Sequence, residues 1–204
     1  MKVGVLALQG AVSEHVEVLN KAMKELKIDG NAVHVRNAKD LDDVSGLVIP
    51  GGESTTINRL MLTTGVHEKI IELAKKGLPI LGTCAGTILL AKEGDEQVKQ
   101  TNTKLLSLMD MKVLRNAYGR QVNSFEVDVN IPEIGSKPFR TVFIRAPTIE
   151  KVWDDTKVWI KHQDNIIGVK KGNILALTFH PELSDDLRIH EYFLRIIQRN
   201  YRIR

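Results

Sequence analysis

Three unbroken apolar runs in the first half of the chain stop at glycine or at a glycine-rich turn. They are KVGVLAL (Lys2–Leu8) before Gln9-Gly10, SGLVIPGG (Ser45–Gly52), and LPILGT leading into Cys84. Continuous rather than alternating apolar character marks strands buried on both faces, as in parallel sheets covered by helices. Helical spacing fills the gaps: Val12, Val16, Leu19, Met23 and Leu26 recur every three or four residues. Residues 55–62 and 66–76 repeat the pattern, NAVHVRN supplies a further strand, and Ala85–Lys92 reads as the helix after LPILGT. Strands alternating with helices imply right-handed βαβ units and a mostly parallel sheet.

After Glu93 the texture changes. KLLSLMDMKVLR, GRQVNSFEVDV, FRTVFIRAP and KVWIKHQDNIIGVKKGNILALTFHPE are strand-like, with turns at Tyr118-Gly119, Ile134-Gly135 and Lys171-Gly172-Asn173. A final helix is expected over roughly residues 185–200, with Leu187, Tyr192, Phe193, Ile196 and Ile197 on its apolar side. No repeat or linker interrupts residues 1–204. The expectation is one α/β domain: a three-layer, open, flavodoxin-like sheet, mostly parallel, flanked by helices, with antiparallel additions in the second half.

Composition limits the function classes. Hydrophobic content of 43% and charged content of 26% are those of an ordinary globular protein. Cys84 is the only cysteine and has no internal disulfide partner. The N-terminal apolar run is too short for a signal peptide or a membrane span, which points to a cytoplasmic protein. The net charge of +4 is scattered. Its densest stretch, Arg195, Arg199, Arg202 and Arg204, reads as the solvated face of the last helix. Aromatic interleaving of the kind that binds single strands is missing, so nucleic acid is not expected.

Ligands of open α/β sheets bind beyond the carboxyl ends of the strands. Three polar stretches fall there: PGGEST (Pro50–Thr55), GTCAG (Gly82–Gly86) and FHPE (Phe179–Glu182). Strand, Gly82-Thr83-Cys84-Ala85-Gly86, then helix fits the nucleophile elbow. Small residues two before and two after Cys84 let strand and helix approach closely. The sulfur then sits at a helix start, where the dipole favours thiolate, and the Ala85 N–H faces a developing oxyanion. A lone cysteine is otherwise an ordinary buried residue; the glycine bracket favours the nucleophile.

Such a nucleophile needs a base. His15, His67 and His190 lie in helix-like segments and His34 and His162 in strand-like ones; each reads as an ordinary surface or core histidine. His180 stands apart at a strand end, where Pro181 favours extended geometry, and residues i and i+2 of an extended segment point the same way. Glu182 can then orient the ring, giving nucleophile, base and orienter in Cys84, His180 and Glu182. In PGGEST, Ser54 and Thr55 are good N-caps, and the glycine N–H groups could complete an oxyanion hole. LQGAVSEH is not a dinucleotide fingerprint, and nothing implies a metal or a cofactor.

GTCAG with FHPE resembles the class I, triad-type glutamine amidotransferase family. GVLALQGAVSEH, GLVIPGGESTT, GTCAGTILLAK, RNAYGRQVNSFE, FIRAP and TFHPELSDD together resemble the glutaminase subunits of pyridoxal 5'-phosphate synthases, over Val3 to Asp186. The resemblance implies hydrolysis of L-glutamine to L-glutamate and ammonia through a γ-glutamyl thioester on Cys84. It implies Gly52 and Ala85 as oxyanion-hole donors and Gly52, Glu53, Ser54, Arg115, Ile144 and Arg145 as the glutamine site. Arginine pairs such as Arg115 and Arg145 suit a free carboxylate. The ammonia would pass to a separate synthase subunit, a (β/α)8 barrel assembled as a dodecamer with up to twelve glutaminases. The alternatives are a glutaminase serving another synthase and a cysteine hydrolase of similar fold.

Overall fold

The computed structural model describes residues 1–115 and 124–203, with side chains up to Asn200. Its first half runs β1 (Lys2–Leu6), α1 (Val12–Glu25), β2 (Asn31–Val35), β3 (Gly46–Ile49), α2 (Ser54–Thr63), α3 (Val66–Lys75), β4 (Ile80–Thr83) and α4 (Ala85–Leu90). There follow β5 (Ala91–Gly94), α5 (Glu96–Gln100), β6 (Met109–Leu114), β7 (Ser124–Val129), β8 (Phe139–Ile144), β9 (Thr148–Val152), β10 (Lys157–His162), β11 (Asn165–Lys171), β12 (Ile174–Leu177) and α6 (Arg188–Ile203).

Ten of these strands make one sheet in the order β2-β1-β3-β4-β12-β11-β9-β6-β5, with β10 paired to β11. The joins from β2 to β12 are parallel. Beyond β12 the neighbours β11, β9 and β6 are antiparallel, and β5 ends the sheet parallel to β6. Strands β7 and β8 form a separate antiparallel pair. The order 2-1-3-4 followed by β12 is the flavodoxin-like order expected from the alternating runs.

The apolar runs alternate between two cores. Leu6, Leu47, Ile49 and Ile80 face Ile57 and Met61 of α2, Ile70 of α3 and Leu89 of α4. Val3, Val5, Val48, Leu81 and Leu177 face Leu19 and Met23 of α1 and Ile189, Phe193 and Ile197 of α6. Each such side chain, fully buried, stabilises the fold by about 1.5–3 kcal/mol before the entropy of ordering is counted. The strands are apolar on both faces because both faces are covered.

The boundaries differ from expectation in three places. The helix expected to reach Lys92 stops at Leu90, and Ala91–Gly94 turns outward as β5, pairing Ala91 with Met109 and Gly94 with Val113. Sheet pairing there overrides helical spacing. Within KLLSLMDMKVLR only Met109–Leu114 is strand. The last helix starts at Arg188, because Asp186 accepts the Arg188 backbone N–H at 3.1 Å and holds residues 185–187 outside it. The expected Tyr118-Gly119 turn, most of RNAYGRQ, and the side chains of Arg202 and Arg204 lie outside the described residues.

Candidate active site

Strand β4 ends at Thr83 and α4 begins at Ala85, leaving Cys84 alone in the turn at φ 48° and ψ −104°. A non-glycine residue at positive φ is held there by its surroundings at a cost of about 1–3 kcal/mol. The surroundings are the glycine bracket. A β-carbon on Gly86 would overlap the Ile49 carbonyl oxygen, and one on Gly82 would lie 2.5 Å from Leu90 Cδ1. The elbow is tied to the neighbouring parallel strand: Cys84 N–H and Thr87 Oγ1 both donate to Leu177 O, at 2.8 and 2.5 Å. Leu177 ends β12, so the pairing of β4 with β12 sets Thr178-Phe179-His180 beside the cysteine.

His180 sits beside Cys84, both lying against Gly51, and its ring holds Glu182, Nδ1 lying 2.7 Å from Glu182 Oε1. Its backbone N–H donates to Val142 O of β8 at 2.8 Å. Burial of the ring works against its charge. The neighbouring Cys84 sulfur and the hydrogen-bonded Glu182 carboxylate outweigh this and push His180 up to about 10. The route from His180 to Glu182 is not the extended one expected. Pro181 opens a single-turn helix, Pro181–Leu183, with Leu183 N–H donating to His180 O at 3.3 Å. Proline suits the first helical position, where no N–H is needed.

Glu182 is buried, and burial pushes its carboxyl up; His15 and His180 pull it back below the ordinary value. His15 on α1 was an ordinary helix histidine in the sequence. In the fold its Nε2 lies 3.2 Å from Glu182 Oε2 and 3.1 Å from Thr83 Oγ1, and its Nδ1 lies 3.1 Å from His190 Nε2. The signal was present: His15, Leu19 and Ala22 share one buried face of α1.

A cleft of about 700 Å3 opens above the sulfur, lined by Gly52, Glu53, Ser54, Cys84, Ala85, Arg115 and Arg145 among others. Of the residues expected at a glutamine site, Ile144 is not in that lining; it is 40% exposed, and its carbonyl oxygen lies 3.9 Å from Cys84 Sγ. The N-cap of α2 is Glu53 rather than Ser54 or Thr55. Its carboxylate accepts from the backbone N–H of Thr55 at 3.2 Å and of Thr56 at 2.7 Å, and also pairs with Arg115. Burial pushes Glu53 up, but the threonine hydroxyls and backbone groups hold it near 2. Arg145 stands at φ 44° beyond β8. Gln97, Gln100 and Thr101 of and after α5 add a wall, from a stretch in which the sequence offered no site residue. Gln9 adds a further contact, its Oε1 accepting the Glu53 backbone N–H at 2.7 Å.

A cysteine on a strained strand-to-helix elbow, with a histidine delivered by the next parallel strand, is the layout of α/β thiol hydrolases. Comparison with known proteins narrows that class. The chain belongs to the SNO glutamine amidotransferase family, whose model matches residues 5–199. It is 51% identical over 200 residues to a protein of Methanosarcina barkeri named pyridoxal 5'-phosphate synthase subunit PdxT, covering 98% of this chain and all of that one. A protein of the same name from Methanosarcina mazei is 52% identical over 194 residues, 95% of this chain and 97% of that one. A crystal structure of a glutamine amidotransferase superposes with a TM-score of 0.85 at 41% identity, over 96% of this chain and 98% of that one.

Proposed function

We propose that the chain is a glutaminase that hydrolyses L-glutamine to L-glutamate and ammonia and serves a pyridoxal 5'-phosphate synthase. The observation that carries this reading is the line from Cys84 through His180 to Glu182 at the floor of the cleft, in a chain of the glutamine amidotransferase family. His180, the base beside the sulfur, takes the proton that Cys84 gives up as it attacks. The sulfur adds to the side-chain amide carbon, and the carbonyl oxygen becomes an oxyanion facing the Ala85 and Gly52 N–H groups. His180 passes its proton to the amide nitrogen, the C–N bond breaks, ammonia leaves, and a γ-glutamyl thioester remains. Water then gives a proton to His180 and its oxygen to the carbonyl carbon, and glutamate leaves as the thiolate returns.

The α-carboxylate of glutamine pairs with Arg145, whose guanidinium has no carboxylate partner among the described residues. Arg115, tied to Glu53, forms the adjoining wall together with Ser54. The relatives' name, a subunit of a pyridoxal 5'-phosphate synthase, supports delivery of the ammonia to a different subunit, a barrel assembled as a dodecamer carrying up to twelve glutaminases. No helix of the described residues is long and apolar enough to cross a membrane, and a cytoplasmic location goes with this reading. The test is co-purification with the synthase subunit followed by a glutamine-dependent ammonia assay, with Cys84→Ala as control. An active wild-type complex and an inactive control are expected; equal ammonia release by both would overturn the reading.

A further inference from the structure

Glu182 carries one oxygen that the triad does not use. Oε1 faces His180, whereas Oε2 is buried without an in-line hydrogen-bond donor among the described residues. His15 Nε2 lies 3.2 Å from it. A carboxylate oxygen only accepts, so a bare Nε2 would set two lone pairs against each other in a dry site. Nε2 therefore carries hydrogen, directed to the Thr83 hydroxyl oxygen at 3.1 Å, with its positive end beside Glu182 Oε2 at 3.2 Å. Burial holds His15 below its ordinary pKa, so the ring has one proton and Nδ1 is bare. His190 Nε2, 3.1 Å from that Nδ1, must then donate to it. His190 Nδ1 is left without a proton, and it is the ring atom that has no partner among the described residues. Each assignment forces the next, and all of them agree. The charged and titratable groups acting on His15 are Glu182 and His180 from the turn after β12, Glu14 on its own helix and His190 on α6.

We infer that His15 is a positioning residue of the glutaminase site: its Nε2–H, set against the second oxygen of Glu182, stabilises the charge of that carboxylate, and His190 sets the tautomer in which it can do so. The hydrogen-bond direction runs His190 to His15 to Thr83, with the His15 Nε2–H beside Glu182 Oε2 and His180 donating to Glu182 Oε1 from the other side. This inference rests on the reading of Cys84, His180 and Glu182 as the catalytic group. Glutamine Nε2 reaches roughly where histidine Nε2 does and also donates, whereas leucine fills the space and donates nothing.

The experiment is steady-state glutaminase kinetics of the full chain with its synthase subunit, across pH, for wild type, His15→Leu and His15→Gln. His15→Leu is expected to lose about 10- to 100-fold in kcat, the range for one buried charge left unsatisfied. KM stays within about twofold, and the acidic limb of the kcat/KM profile moves to higher pH as Glu182 becomes easier to protonate. His15→Gln recovers most of the rate and the original limb. A folded His15→Leu protein with unchanged kcat and an unmoved limb overturns the inference. Should that variant not fold, nitrogen NMR of the wild-type histidines decides. His15 in the Nε2–H form at neutral pH supports the inference, and an Nδ1–H form or an imidazolium overturns it. A wild-type chain without glutaminase activity would instead overturn the functional reading, and the tautomer measurement, which needs no turnover, tells the two failures apart.

Discussion

Gly51 lies directly against the His180 ring: a β-carbon at position 51 would overlap His180 Cε1, lie 3.0 Å from Nδ1 and lie 3.2 Å from Cys84 Cβ. The first glycine of PGGEST thus leaves room for the imidazole between Cys84 and Glu182. Gly51→Ala is expected to push the ring off the line and to lower kcat about 100-fold, the scale for a displacement of about 1 Å at a reacting centre. Circular dichroism should remain that of the wild type. Wild-type turnover in a folded Gly51→Ala protein would contradict the geometry.

The elbow makes a prediction about stability. Gly86 meets the Ile49 backbone where α4 crosses β3, and backbone cannot yield as a flexible side chain can. Gly86→Ala should lower the stability by about 1–3 kcal/mol, the cost of overpacking a filled core. The urea midpoint reports it, and a midpoint equal to that of the wild type would show that strand and helix are further apart than described.

Glu53 joins two functions, capping α2 and holding Arg115. Glu53→Ala should cost about 1 kcal/mol through the lost cap. With Arg115 released, KM for glutamine should rise by a larger factor than kcat falls. An unchanged KM would separate Arg115 from substrate binding.

The buried imidazoles set the sign of the acid dependence. Burial, with His15 adding to it, lowers His190 to about 3, and burial lowers His15. Below about pH 6.5 the unfolded chain protonates both rings and the folded chain does not. Stability present above pH 6.5 is therefore lost as pH falls, by up to about 1.4 kcal/mol per pH unit for each ring. Glu182, held low, adds a loss below its ordinary value. His180 has the opposite sign: its contribution is full below pH 6.5 and is lost as pH rises through about 10. Urea midpoints measured from pH 6.5 to 5 should fall, and His190→Leu should reduce that slope. An equal slope in the variant would contradict the assignment.

Much of this was legible in the chain. The continuous apolar runs carried the parallel half of the sheet, because strands covered on both faces have no solvent side to show as alternation. GTCAG carried the elbow, since only small residues allow Gly82 and Gly86 their contacts. FHPE carried the pairing of His180 with Glu182, though through a helical turn rather than an extended one. What stayed hidden depends on contacts distant in sequence. Ala91–Gly94 is strand only because β6 lies beside it. His15 meets Glu182 and His190 only when α1, the end of β12 and α6 converge on one core. Glu53 displaced Ser54 and Thr55 as the cap because its longer side chain reaches forward to the backbone N–H groups of Thr55 and Thr56.

The central claim is that Cys84 releases the amide nitrogen of glutamine for a separate synthase. Its most direct test is to supply the assembled complex with glutamine labelled at the amide nitrogen and to follow the label into pyridoxal 5'-phosphate. The account predicts labelled product from the wild type and none from Cys84→Ala, with free ammonium supporting synthesis by both. Product formed from ammonium but never from glutamine by the wild type, or label transferred equally by Cys84→Ala, would contradict it.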